Sequence, residues 1–211
     1  LEVDHVLSLT EIKEIPEKKF NPKILAYDIE TDEFQIGEGE VIMVSLADNN
    51  GLKKVITLKK SKTSKLPAYV EFAKDEAELL EKFISEVKKA NPDFLVGYFS
   101  DGFDLPYLRA RAEKNKVKLS LNLDGTQPRF SKSGAGREFT GKTKGIVHID
   151  LFKFIRTAYS QYMQSETMGL GDVAKEFLGE SKKDFDRTKK SQDIKENEWE
   201  GYVKHLHSSF L

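Results

Sequence analysis

Residues 23–31, Lys-Ile-Leu-Ala-Tyr-Asp-Ile-Glu-Thr, decide how the rest of the chain is read. Strand formers dominate the stretch, and it alternates into two sets, Ile24, Ala26, Asp28 and Glu30 against Leu25, Tyr27 and Ile29. Both sets begin apolar, which suits a strand covered on both faces in the middle of a sheet. Only towards its end does one face turn acidic, with Asp28 and Glu30 pointing the same way. Two carboxylates side by side in a half-buried place repel each other, and a divalent cation relieves that repulsion. On Asp-x-Glu alone, a strand end carrying two solvated acids explains the pattern as well.

Working outward, residues 41–47 and 54–58 read as two further strands, joined through the turn signal Asn49-Asn50-Gly51. Residues 75–90 read as a helix with Leu79, Leu80, Phe83, Ile84 and Val87 on one face. Asp75 and Glu78 resemble a capping box, Lys88 and Lys89 suit its C-terminal end, and Pro92 stops it. Residues 94–99 form a buried strand that leads through Asp101-Gly102 into a helix over 104–114. The stretch 119–147, with Gly134, Gly136, Gly141 and Gly145, is hairpin material. A strand over 146–150 then runs into a helix over 151–159, and a short helix covers 168–178. Residues 180–198 are charged loop or exposed helix, and a last helix starts near Trp199. Upstream, residues 1–22 read as a short strand and a connecting arm through Pro16 and Pro22. Three strands joined by tight turns, then alternating helices and strands, give an α/β domain over 23–211 with a mixed central sheet flanked by helices.

Bulk properties narrow the partners. Hydrophobic residues are 38% and charged residues 33% of the 211, and 34 Lys and Arg against 35 Asp and Glu leave a net charge of −1. A general polyanion binder is basic overall, so any nucleic-acid contact here must be local. Within 129–144, Arg129, Lys132, Arg137, Lys142 and Lys144 face the single acid Glu138, which fits either a phosphate-touching hairpin or an exposed polar one. The absence of cysteine excludes disulfides and thiolate metal sites. No apolar run approaches the roughly 20 residues that span a bilayer. The chain therefore reads as intracellular, cytoplasmic or nucleoid-associated, with no membrane partner. Its start at Leu1 and its end at Leu211 within an apolar pattern fit a piece of something longer.

The second chemical element is Gly97-Tyr98-Phe99-Ser100-Asp101-Gly102-Phe103-Asp104-Leu105-Pro106-Tyr107-Leu108. Asp104 lies where a strand hands over to a helix, a common place for a capping Asp, with Pro106 in the first turn. A carboxylate there can also face the end of a neighbouring central strand and join Asp28 and Glu30. His148 and Asp150 alternate in Val-His-Ile-Asp-Leu, and a structural role suits them, with Asp150 capping the helix that starts at residue 151.

D-I-E-T, G-Y-F-S-D-G-F-D-L-P-Y-L, then G-I-V-H-I-D-L at 145–151 and L-G-D-V-A-K-E-F-L-G at 170–179 follow one another in order. In this the chain resembles the 3′–5′ exonuclease domain of family B (archaeal-like) DNA polymerases from about residue 23 to its end, the first two stretches resembling that family's first and second exonuclease motifs. Residues 1–22 resemble the segment that leads into the domain. The resemblance implies a ribonuclease-H-like exonuclease fold and proofreading-type hydrolysis of DNA 3′ ends, single-stranded or frayed, by two Mg²⁺ or Mn²⁺ ions. It assigns Asp28 to both ions, Glu30 to the first, and Asp104 to the second, largely through water. It sets Thr31 and Phe103 beside the last nucleotide, where an aromatic face can stack on any base. A polymerase body in the same or a partner chain is the implied neighbour.

The chain also departs from that pattern. Phe99 stands where the family has an Asn, which removes a polar substrate contact. In the third motif Lys204 falls at the family's Tyr, which orients the attacking water, and Ser208 at its Asp, the fourth metal ligand. A serine hydroxyl carries no negative charge at neutral pH, and an ammonium at 204 competes with metal for the remaining carboxylates. Occupancy of the first ion site is thereby open, and His205 and His207 read as ordinary helix histidines. The alternative function is a catalytically degenerate exonuclease-fold module that holds DNA or supports a polymerase. A stand-alone nuclease is a third.

Overall fold

A computed structural model describes residues 6–58, 67–132 and 139–179. Lys204, Ser208, His205, His207 and the helix expected near Trp199 lie outside the described residues.

Six strands form one sheet: β1 (Ile24–Thr31), β2 (Val41–Asp48), β3 (Lys53–Thr57), β4 (Val70–Phe72), β5 (Phe94–Gly97) and β8 (Val147–Asp150). Their order is β4-β3-β2-β1-β5-β8, so the D-I-E-T strand is central. β1 runs antiparallel to β2 and parallel to β5, and β5 runs parallel to β8, which makes the sheet mixed. Alternation in β1 is as read: Leu25, Tyr27 and Ile29 are buried in the main core, while Ala26, Asp28 and Glu30 are half-buried. Gly51, at φ 98°, lets the chain reverse between β2 and β3.

The main core lies between the sheet and α1 (Glu76–Ala90), with α2 (Asp104–Lys114) beside it. Asp75 caps α1 by accepting from Glu78 N at 2.9 Å, and the Glu78 carboxylate reaches back to Lys74 N at 2.7 Å rather than to its capping partner. Asn91 closes the helix in a left-handed conformation, φ 43°. A buried fork joins the two helices: Arg111 donates to Glu76 at 2.6 and 2.8 Å, and Glu76 also accepts from Val41 N at 2.8 Å. That one carboxylate fixes α1, α2 and the start of β2 together.

β6 (Arg129–Lys132) and β7 (Phe139–Lys142) pair as a separate antiparallel hairpin, and α3 (Leu151–Ala158) and α4 (Leu170–Leu178) follow β8. Two expectations need correction. Residues 6–22 contain no strand, and Val6, Leu7, Leu9, Ile12 and Ile15 are exposed. Among the described residues no neighbouring strand supplies the backbone partners a strand needs there. β4 was not anticipated, because three residues are too few to show an alternation.

Candidate active site

The turn between β5 and α2 builds the site. Phe99 O accepts from Gly102 N and Phe103 N, both at 3.0 Å, and Ser100 O accepts from Leu105 N at 2.9 Å. This winding puts Phe103 at the helix cap without a side-chain capping bond and makes Asp104 the first helical residue. Asp104 therefore does not cap α2. Its Oδ1 accepts from Ile29 N at 3.3 Å, the backbone amide between Asp28 and Glu30. Burial, and next the charge of Asp28, hold the Asp104 carboxyl well above its ordinary pKa. The structure thus brings Asp104 to Asp28.

Glu30 lies two residues further along the same face, opposite Met43, just before a register shift between Glu30 and Thr31. Opposite Asp28 stands Ser45, whose buried hydroxyl makes no hydrogen bond among the described residues. Apolar walls surround Asp28: with Tyr27, Val96, Tyr98, Leu151 and Leu170 it lines a cavity of about 80 Å³. The groups here, two carboxyls and an unsatisfied hydroxyl, are all oxygen donors, the ligand type that hard divalent cations take. Among the described residues no group of three or more His, Cys, Asp or Glu side chains is close enough to hold a metal ion. The convergence is of Asp28 and Asp104, with Glu30 next along the strand.

A second carboxylate cluster underlies the same turn. Asp150 caps α3 by accepting from Lys153 N at 3.3 Å, as the sequence suggested, and also accepts from Phe99 N at 3.1 Å and Asp101 N at 3.0 Å. Asp101 accepts from Gly141 N of the hairpin at 2.7 Å and from Lys153 Nζ at 2.9 Å, and His148 Nδ1 is 3.5 Å away. His148 Nε2 meets Ser100 Oγ at 3.0 Å and Tyr27 OH at 3.4 Å. Burial lowers the His148 pKa, the charges of Asp101 and Asp150 opposing that shift. Ser, His and Asp stand in line here, but Ser100 is completely buried, so the arrangement is scaffold. In the sequence Asp101 reads as a turn residue. The β5–β8 register, Gly97 opposite Asp150, is what brings the two aspartates together.

The two residues expected beside the nucleotide, Thr31 and Phe103, come close together. Phe103 is half-buried against the core, its ring centroid 5.3 Å from that of Tyr107. Thr31 Oγ1 and Tyr107 OH both donate to Glu33 O, at 2.8 and 3.1 Å. Thr31 and Phe103 thus gather around Tyr107, whose role no local pattern in the sequence marks. Phe99, at φ 60°, is 48% exposed and meets Phe152 edge-on at 5.3 Å. On the hairpin side, Lys144 pairs with Asp124 at 3.0 Å.

Comparison with known proteins bears on the family and the fold. Residues 2–165 match the family model for the exonuclease domain of family B DNA polymerases. The chain is 41% identical over 138 residues to a DNA polymerase of Pyrococcus glycovorans, covering 64% of this chain and 17% of that protein. Against a DNA polymerase of Thermococcus litoralis it is 42% identical over 139 residues, covering 64% of this chain and 8% of the other. In three dimensions it resembles the family B DNA polymerase of the hyperthermophilic archaeon Pyrobaculum calidifontis, with TM-score 0.66 at 21% identity over 92% of this chain and 25% of that one. The chain thus spans less than a fifth of either sequence relative, and the structural likeness establishes the α/β, ribonuclease-H-like exonuclease fold.

Proposed function

The chain belongs to the exonuclease-domain family of the family B DNA polymerases, and on that premise we propose that it is a divalent-cation-dependent 3′–5′ exonuclease module acting on single-stranded or frayed DNA ends. The observation that carries this is Asp104 seated on the β1 backbone beside Asp28. Asp28 and Asp104, with Glu30 along the strand, would hold Mg²⁺ or Mn²⁺, two ions in the family pattern. When bound, such ions make water a nucleophile near neutral pH and stabilise the departing 3′ oxygen.

The residues of the chain do the rest. Apolar walls from Val96, Leu151 and Leu170 strengthen every charge interaction at Asp28 by keeping water sparse. The Ile29 amide fixes the Asp104 carboxylate, and the Asp150 carboxylate fixes the turn that carries it. Thr31 and Phe103 would border the terminal nucleotide. The module would work inside the cell, on DNA, next to a polymerase body in the same or a partner chain.

Lys204 and Ser208 in the third motif favour a second reading, a catalytically degenerate module that holds DNA or supports a polymerase. Digestion of end-labelled single-stranded DNA in Mg²⁺ and in Mn²⁺ separates the two. Cleavage that disappears in Asp28→Ala sinks the degenerate reading. No cleavage in either metal sinks the enzymatic one for this chain, and Lys204→Tyr with Ser208→Asp then tests whether the third motif is the cause.

A further inference from the structure

Phe99 occupies a left-handed backbone conformation, φ 60°. For a residue with a Cβ this costs roughly 1–2 kcal/mol, and Asn tolerates it better than a bulky aromatic does. Strain retained in a site turn points towards a use for the side chain that bears it. Burial is not that use, because Phe99 is 48% exposed. Nor is the ring loose. Its far end lies over Gly102, where an added Cβ would come within 2.5 Å of Phe99 Cζ, and Phe152 braces it edge-on at 5.3 Å and 85°. Arg156 stands over the Phe152 ring, 5.4 Å from its centroid. A braced, half-exposed aromatic with a guanidinium one ring away, on the turn that carries Asp104, has the make-up of a single-stranded nucleic-acid surface.

We propose that Phe99 is a stacking platform for one unpaired base of the strand entering the site, and that Arg156, across Phe152, meets a neighbouring backbone phosphate. The proposal rests on the nuclease reading and adds a contact to it. Where an Asn offers hydrogen bonds, Phe99 offers a π-face that accepts any base.

Single-stranded oligodeoxynucleotides carrying 2-aminopurine at successive positions from the 3′ end test this, in EDTA so that nothing is cut. Wild type should quench the probe at one position. Phe99→Leu should abolish that quenching and weaken binding roughly five- to tenfold, in line with the stacking of one base. Phe99→Trp should restore both, and Arg156→Gln should weaken binding while lowering its salt dependence. Melting curves confirm that the variants fold, and Phe99→Gly, which relaxes the backbone and carries no side chain, replaces Phe99→Leu if the latter does not. Equal affinity of wild type and Phe99→Leu, with no position-specific quenching, overturns the platform while cleavage of end-labelled DNA still stands. A wild type that neither binds nor cleaves overturns the nuclease reading as well.

Discussion

Asp101, Asp104 and Asp150 are buried to nearly the same depth, with 3%, 4% and 6% of their surface exposed, but their charges are met differently. Asp150 accepts from three backbone amides, and Asp101 accepts from an amide and a lysine ammonium. Asp104 accepts from Ile29 N at 3.3 Å and faces the charge of Asp28, and its carboxyl resists ionisation. A buried carboxylate is tolerated when donors or a cation answer its charge. The first two are answered from within the protein and hold the turn. At Asp28 and Asp104 two carboxyl groups meet and one is held towards its neutral form, and on the proposed reading a cation would answer them.

The two clusters should fail differently when cut. The largest effect belongs to Asp28→Ala, which should lower cleavage of end-labelled DNA on the order of a thousandfold, about 4 kcal/mol of barrier. The same variant should leave the metal-free fold at least as stable in urea, since a repulsion is removed. Asp101→Ala should do the reverse. Gly141 N and Lys153 Nζ each lose an acceptor, and the urea midpoint should fall by the equivalent of about 2–3 kcal/mol, less than for a fully buried ion pair because Lys153 is partly solvated. An Asp101→Ala protein of unchanged stability would erase the distinction between the clusters.

The pH dependences should also oppose each other. The Asp104 pKa is raised above 3.8, so above that pH the folded state keeps a proton that the unfolded chain has lost. Its contribution to metal-free stability therefore falls as pH climbs from 3.8 through the raised value. Mg²⁺ should counter the fall, and Asp104→Asn should flatten it. The His148 pKa lies below 6.5, so as pH drops through 6.5 the unfolded chain takes a proton that the folded state refuses. Stability is lost in that direction, and His148→Gln should remove the loss. Urea titrations across pH, with and without Mg²⁺, read both.

Sequence shows these clusters unequally. The central strand was legible because alternation in Leu25, Tyr27 and Ile29 is a local signal. Its turn and the bounds of α2 were legible too. Local rules offer Asp104 both a cap and a place at the end of the central strand, and only the second is the one it takes. The Asp101–Asp150 cluster was half seen: the cap was read from Asp150 next to its helix, but its bonds to Phe99 and Asp101 depend on strand register across the sheet. No local pattern encodes that register.

Phe99 belongs to both clusters, and its smallest expected effect is the most discriminating. Its amide donates to Asp150 and its carbonyl holds Gly102 and Phe103, so its backbone ties the scaffold to the Asp104 turn whatever its side chain. Phe99→Gly relieves left-handed strain of about 1–2 kcal/mol and forfeits an aromatic contact with Phe152 of about 0.5–1.5 kcal/mol. The two nearly cancel, so the thermal midpoint should correspond to a change within about 1 kcal/mol. Affinity for single-stranded DNA should nevertheless drop, because the side chain is spent on substrate and not on the fold. A large loss of stability instead would make the Phe99 ring part of the scaffold, and the turn would then carry no division between what holds the site and what works in it.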